Sequence, residues 1–165
     1  MAEKFDLAIR MGSLPDDAGL VARRVMHATN GLFAAPTYIA RHGLPEHPDG
    51  LAQHATLCLR GQTGHALPWI LTRGKVRWER ELPARILANS PDLLLRMALT
   101  GSGIATSANG SAASHVEKGD LLRILPEWAM PDSTGYAIFP SRRLMPAKTR
   151  VFLDMMEAML CPAGN

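Results

Sequence analysis

The sequence predicts an α/β fold, on three observations. Strand-like and helix-like patterns alternate along the chain. The segment Asn89-Ser90-Pro91-Asp92 carries a full set of helix-start signals. The C-terminal region repeats apolar residues at helical spacing. The 165 residues suffice for one domain or two small lobes, and hydrophobic residues, at 47%, can supply a core. Aromatics are only 5%, so Leu, Ala, Ile, Val and Met must fill that core. Charged residues, at 20%, are sparse for a fully solvated surface, which points to some surface being covered by a partner or by further chain.

Residues 5–11 alternate, with Phe5, Leu7, Ile9 and Met11 on one side and Asp6, Ala8 and Arg10 on the other, which is strand periodicity. Residues 12–17 read as a loop. Residues 21–26 and 31–35 read as strands, with Thr29-Asn30-Gly31 turning between them. Pro36 suits the first turn of a helix and Gly43 its stop, so Pro36–His42 is predicted helical. Residues 44–50 carry two prolines and a glycine and are predicted to be mostly loop. Strands follow at 56–60, 69–72 and 85–88.

Ser90 can cap the next helix, with Pro91 at its first position and Asp92 facing the positive dipole end. Leu94, Met97, Ala98 and Gly101 share one face, and Gly101-Ser102-Gly103 ends the helix. A buried strand is predicted at 104–107, a helix at 109–118 closed by Gly119, and strands at 121–125 and 136–139. Pro146 opens the last helix, in which Val151, Phe152, Met155, Met156, Met159 and Leu160 form a stripe expected to be core.

The net charge is +3, but the basic residues are scattered rather than striped, as expected of solvated charges. Cys58 and Cys161 belong to no metal-ligand or redox pattern, which suits a reducing cytoplasm. The first residues lack an apolar signal-peptide region, and no apolar run approaches the roughly 20 residues that span a bilayer. The six histidines form no HExxH or HxH pattern. His42 and His47 flank a proline loop and could approach His54, with a metal site as one reading and plain strand-edge histidines as the other. Neither a GxSxG elbow nor a phosphate loop is present, and the carboxylates are not paired for acid–base work, so no enzyme and no cofactor are expected. The Ser90 helix start offers free N–H groups to a ligand carboxylate, the alternative being an ordinary capped helix.

The ordered segments resemble the effector-binding part of LysR-type transcriptional regulators. The resemblance runs through Phe5-Asp6-Leu7-Ala8-Ile9-Arg10-Met11-Gly12 and residues 32–43, then Pro45, Pro48, Leu51, His54 and Cys58-Leu59-Arg60. It continues through residues 95–105 with Ala98, Gly101, Gly103 and Ile104, residues 119–128, Phe139-Pro140-Ser141-Arg142-Arg143, Pro146-Ala147-Lys148 and Phe152-Leu153-Asp154. It implies a type II periplasmic-binding-protein-like two-lobe fold with an effector in the inter-lobe cleft. Residues 36–133 would form the second lobe. Residues 1–35 and 134–165 would form an incomplete first lobe that lacks its opening strands and helix as well as the winged helix-turn-helix. Where the family usually has a proline after the Gly103-Ile104-Ala105 strand, this chain has Thr106-Ser107-Ala108-Asn109-Gly110.

The expected ligand-binding residues are Arg10 and Gly12 from the first lobe and Thr37, Asn89 and Ser90 from the second. The expected ligand is a small, carboxylate-bearing effector. The chain is expected to form a homo-oligomer or to associate with a full-length regulator, with no membrane and no sequence-specific DNA binding of its own.

Overall fold

The computed structural model describes residues 7–12, 20–140 and 147–160. The chain forms two compact units: Met1–Ala28 with Asp132–Asn165, and Thr29–Pro131. The boundaries expected after residues 35 and 133 differ from this division. The reason lies in β3 (Asn30–Ala34), which is hydrogen-bonded into the sheet of the second unit.

The first unit is a three-stranded antiparallel sheet of order β1-β10-β2, from β1 (Ala8–Met11), β2 (Leu20–Ala28) and β10 (Ser133–Pro140). The helix α4 (Ala147–Leu160) packs on β2, and Val25, Ala137, Phe139 and Leu153 make the core between them. Arg23 on β2 donates to Asp154 on α4 at 3.0 Å. The stripe expected to be core is largely exposed instead: Val151 (58%), Phe152 (50%), Met155 (59%) and Met159 (76%) face solvent, and Thr149 and Leu153 carry the buried side. The spacing had identified the helix correctly but not its face. The face depends on how far the sheet extends beneath it, and α4 lies toward β2.

The second unit holds a five-stranded sheet of order β7-β4-β8-β3-β9, formed by β3, β4 (Thr56–Leu59), β7 (Ala84–Ala88), β8 (Ile104–Ala108) and β9 (Leu122–Ile124). β4 runs parallel to β7 and β8, whereas β3 is antiparallel to β8 and β9. Successive residues feed opposite faces, as a pleated strand requires. Leu32, Ala34, Cys58 and Ile104 join one core with Tyr38 of α1 (Pro36–His42). Phe33, Leu57 and Ala105 join a second with Leu94, Leu95 and Ala98 of α2 (Pro91–Leu99) and Ala112 of α3 (Asn109–Glu117). Both faces are covered, which is why these strands read as apolar runs.

The expected turn at Thr29-Asn30-Gly31 does not make a hairpin, because β2 pairs with β10 while β3 pairs with β8 and β9. A hairpin of β5 (Trp69–Arg73) and β6 (Val76–Arg80) covers the first core with Trp69, Leu71 and Trp78. β6 had no sequence signal, since only Trp78 of its five residues turns inward. The loop at 44–50 passes into a 3₁₀-helical segment, Pro48–Gln53, anchored by the fully buried Leu51. Gly103 is required where it stands: an added Cβ would collide with the Ala55 carbonyl, which accepts the Ile104 N–H at 2.9 Å.

Candidate functional site

The chain enters the second unit at Thr29 and leaves it at Pro131, and both points are tied to one end of the sheet. Asn109, at the start of α3, donates its backbone N–H to the Thr29 carbonyl at 2.8 Å and its side-chain N–H to Thr29 Oγ1 at 2.7 Å. Asn30 Nδ2 donates to the Pro131 carbonyl at 2.7 Å. The carboxyl ends of β4, β7 and β8 lie at this same end, because these strands are mutually parallel and β8 ends opposite Asn30. In open α/β sheets, ligands bind outside the carboxyl ends of parallel strands. The opposite, far end carries the N-termini of those strands.

At the entry end, β7 runs out at Ala88, and Asn89 and Ser90 lead into α2. Ser90 is a true N-cap: its Oγ accepts the Leu93 N–H at 3.3 Å. That interaction uses an oxygen lone pair and leaves the hydroxyl hydrogen able to donate. Arg60, at the end of β4, donates its backbone N–H to the Ala88 carbonyl at 2.8 Å, which sets it beside Asn89. Its guanidinium is exposed, with no ion-pair partner among the described residues. α3 also begins here, with no side-chain cap, and Asn109 Oδ1 is buried without a partner among the described residues. The entry end thus gathers the positive poles of two helices and one arginine that has no ion-pair partner among the described residues. Arg60 and Asn109 had no local sequence signal for this position; the strand order places them at the entry end.

Thr37 does not join this group. It lies at the far end in the first turn of α1, with its hydroxyl against Gly101, just past the C-terminus of α2. Ser90 sits at the other terminus of that nine-residue helix, a separation of about 14 Å at 1.5 Å per residue. One small ligand cannot span both.

In the first unit, Arg10 pairs with Tyr136 in the sheet, and Gly12 donates its N–H to the Thr134 carbonyl at 3.0 Å. Gly12 has φ +88°, a left-handed conformation that glycine adopts without strain. Arg10 is half-buried and has no ion-pair partner among the described residues.

The histidines resolve into separate roles. At the far end, buried Tyr38 accepts the Ala55 N–H at 2.8 Å, and its hydroxyl lies 3.2 Å from His54 Nδ1. The His42 ring stacks on Tyr38. Burial, and then the charge of His42, holds His54 below the usual histidine range. His47 instead meets Asp49 and the edge of Trp128. Among the described residues no group of three His, Cys, Asp or Glu could hold a metal. Burial raises the Cys58 thiol, which disfavours the reactive thiolate. No described helix is long and apolar enough to cross a membrane.

Residues 1–160 match the LysR substrate binding domain. The chain is 35% identical over 158 residues to an HTH-type transcriptional regulator of Xanthomonas campestris pv. campestris, covering 94% of this chain and 46% of that protein. It is 32% identical to the HTH-type transcriptional regulator PtxR of Pseudomonas aeruginosa, covering 97% of this chain and 51% of that one. Among solved structures, the CrgA regulatory domain of Neisseria meningitidis superposes with a TM-score of 0.81 at 28% identity, over 94% of this chain and 75% of that chain. The chain spans about half the length of the curated relatives it matches. Those relatives are regulators rather than enzymes, as the missing catalytic motifs led one to expect. The α/β architecture is the periplasmic-binding-protein-like one of these regulatory domains, and the chain belongs to the LysR substrate-binding-domain family.

Proposed function

We propose that this chain senses a small carboxylate-bearing effector and that its occupancy controls transcription, DNA reading being left to the rest of such a regulator. The observation that carries this reading is the entry end of the second unit, where the starts of α2 and α3 converge with Arg60. Helix N-termini favour anions, and a guanidinium can fork onto a carboxylate. Ser90 would serve twice, as cap and as hydroxyl donor, with Asn89 beside it. Arg10 and Gly12 are the candidate ligand residues of the first unit. Effector binding then acts by population shift, through unequal affinity for two arrangements of the protein.

Calorimetric titration with small carboxylates selected by thermal shift tests the reading. Arg60→Ala, Arg10→Ala and Ser90→Ala should each weaken the selected acid roughly tenfold, the scale of one lost charged hydrogen bond. Thr37→Ala should leave affinity unchanged. Unaltered affinity in all three variants would remove the assignment.

A second reading, association with a full-length regulator, is favoured by the first unit. Register places Ile9 with Ala137 on the α4 side of the sheet, yet Ile9 and Met11 are 44% and 49% exposed. Beside them, Leu7, Lys148, Thr149 and Phe152 line a cavity of about 290 Å³. Val151, Met155 and Met159, at successive four-residue steps on α4, add exposed apolar area of the kind that marks interfaces. Light scattering of the chain alone and mixed with a full-length LysR regulator tests it. Phe152→Glu with Met155→Glu should abolish complex formation.

A further inference from the structure

The start of α3 is joined to both points where the chain enters and leaves the second unit. Asn30 stands opposite Ala108 at the last rung of the β3–β8 ladder, and the Asn109 N–H adds one bond beyond it, to the Thr29 carbonyl at 2.8 Å. The Asn109 side chain holds the same residue a second time, donating from Nδ2 to Thr29 Oγ1 at 2.7 Å. One residue on, Asn30 Nδ2 donates to the Pro131 carbonyl at 2.7 Å. A single chain of bonds therefore runs from the first turn of α3 through Thr29 and Asn30 to Pro131. Within the first unit, His27 Nε2 meets Asp132 Oδ2 at 3.0 Å. The two crossing segments are thus clasped on either side, which leaves the steps 28–29 and 131–132 as joints.

Two further features belong to this clamp. Turning its amide N–H onto Thr29 leaves Asn109 Oδ1 buried with no partner among the described residues, a cost that an alanine at this position would not carry. Room for that oxygen depends on residue 31 being glycine. A Cβ there would lie 2.8 Å from Asn109 Oδ1 and 3.2 Å from the Phe33 ring.

We propose that Asn109 is a positioning residue that makes the α3 start, Thr29 and Pro131 move together, so that a charge arriving at the α3 start is felt at both joints. What an effector would do through this relay rests on the entry end being the effector site. The relay itself is tested without an effector.

Ser111→Glu supplies the charge. Ser111 is exposed in the first turn of α3, where a carboxylate suits the positive end of the helix. In the ¹⁵N-labelled chain this substitution should move the amide shifts of Thr29, Asn30 and Asp132. In a Thr29→Val background the displacement at Asp132 should fall roughly twofold or more, as for residues coupled in one hydrogen-bond network. The direct field of the new carboxylate is the same in both backgrounds, so the difference reports the relay and not mere proximity. Thr29 is exposed and Val keeps its branching, so folding is not at stake. Protection of the Asn109 amide, held by the Thr29 carbonyl, should fall roughly fivefold in Thr29→Val, the scale of one lost hydrogen bond. Gly31→Ala should destabilise the chain in urea unfolding, and less so in an Asn109→Ala background, where only Phe33 resists the added methyl. An Asp132 displacement as large in Thr29→Val as in the parent chain would overturn the relay and reduce Asn109 to a local staple. Unchanged protection of the Asn109 amide, or an equal cost of Gly31→Ala with and without the Asn109 side chain, would overturn the clamp.

Discussion

The two ends of the second unit's sheet are built from the same strands and helices yet gather different groups. The entry end collects the starts of α2 and α3, the Ser90 cap, Asn109 and Arg60. The far end collects the stops of α2 and α3, the start of α1, Arg41, Asp120 and a buried Tyr38 tied to Ala55 and His54. The difference follows from topology alone. Once β4, β7 and β8 run parallel, each helix returning from them points its positive pole one way and its negative pole the other. The starts and the stops of α2 and α3 therefore lie at opposite ends, separated by one helix length, and α1 begins where they stop.

The comparison can be broken most severely through α2, which links the two ends. Leu94 is fully buried between α2 and the sheet. Leu94→Ala should cost about 2–5 kcal/mol in urea unfolding, and it should loosen both ends together. Hydrogen exchange that speeds up at only one end would show that α2 does not couple them.

A sharper cut takes the far end alone. Tyr38→Phe removes the oxygen that accepts the Ala55 N–H, leaving a donor unsatisfied next to the buried Gly103–Ala55 contact. A loss of about 1–3 kcal/mol is expected, with effector affinity at the entry end intact. The smaller counterpart is Ser90→Ala, which should cost about 1 kcal/mol of stability through the lost cap. If Ser90 only caps, affinity will be unchanged. If its hydroxyl also donates to ligand, stability and affinity will fall together, and Ser90→Asp will restore the cap while repelling a carboxylate.

Legibility in the sequence divides along the same lines. α1 and α2 were readable with their ends because capping is local: Pro36 and Gly43, Ser90 and Pro91 each act within a few residues. The strands around Leu32, Leu57 and Ile104 were readable as apolar runs. What required long-range pairing was not readable. Thr37 was expected at the ligand from the resemblance and Ser90 also from its helix start, and nothing local says that β3 runs opposite to β7. Arg60 was only a residue in a resembling segment until β4 and β7 were seen to end side by side. The buried side of α4 was missed for a related reason, since spacing gives a stripe but not where the sheet ends.

The smallest expected effect concerns acid, and it should act on the far end first. His54 Nδ1 faces the Tyr38 hydroxyl, so a neutral ring accepts a hydrogen bond that a protonated ring cannot. Burial and the neighbouring His42 hold its pKa below the ordinary 6.5, so in the window just below that value the unfolded chain binds more protons than the folded one. Stability from this group is therefore complete above pH 6.5 and declines as pH falls below it. The decline should be modest, because His54 is only partly buried. His54→Asn keeps an acceptor near Tyr38 without a titrating ring and should flatten the pH dependence of unfolding between pH 7.5 and 5.5. The local readout is protection of the Ala55 amide, which the Tyr38 hydroxyl holds, against that of the Leu93 amide, which the Ser90 cap holds at the other end. Acid should lower protection at Ala55 before Leu93 in the wild type and not in His54→Asn. Equal loss at both amides would mean that the two ends share one acid response.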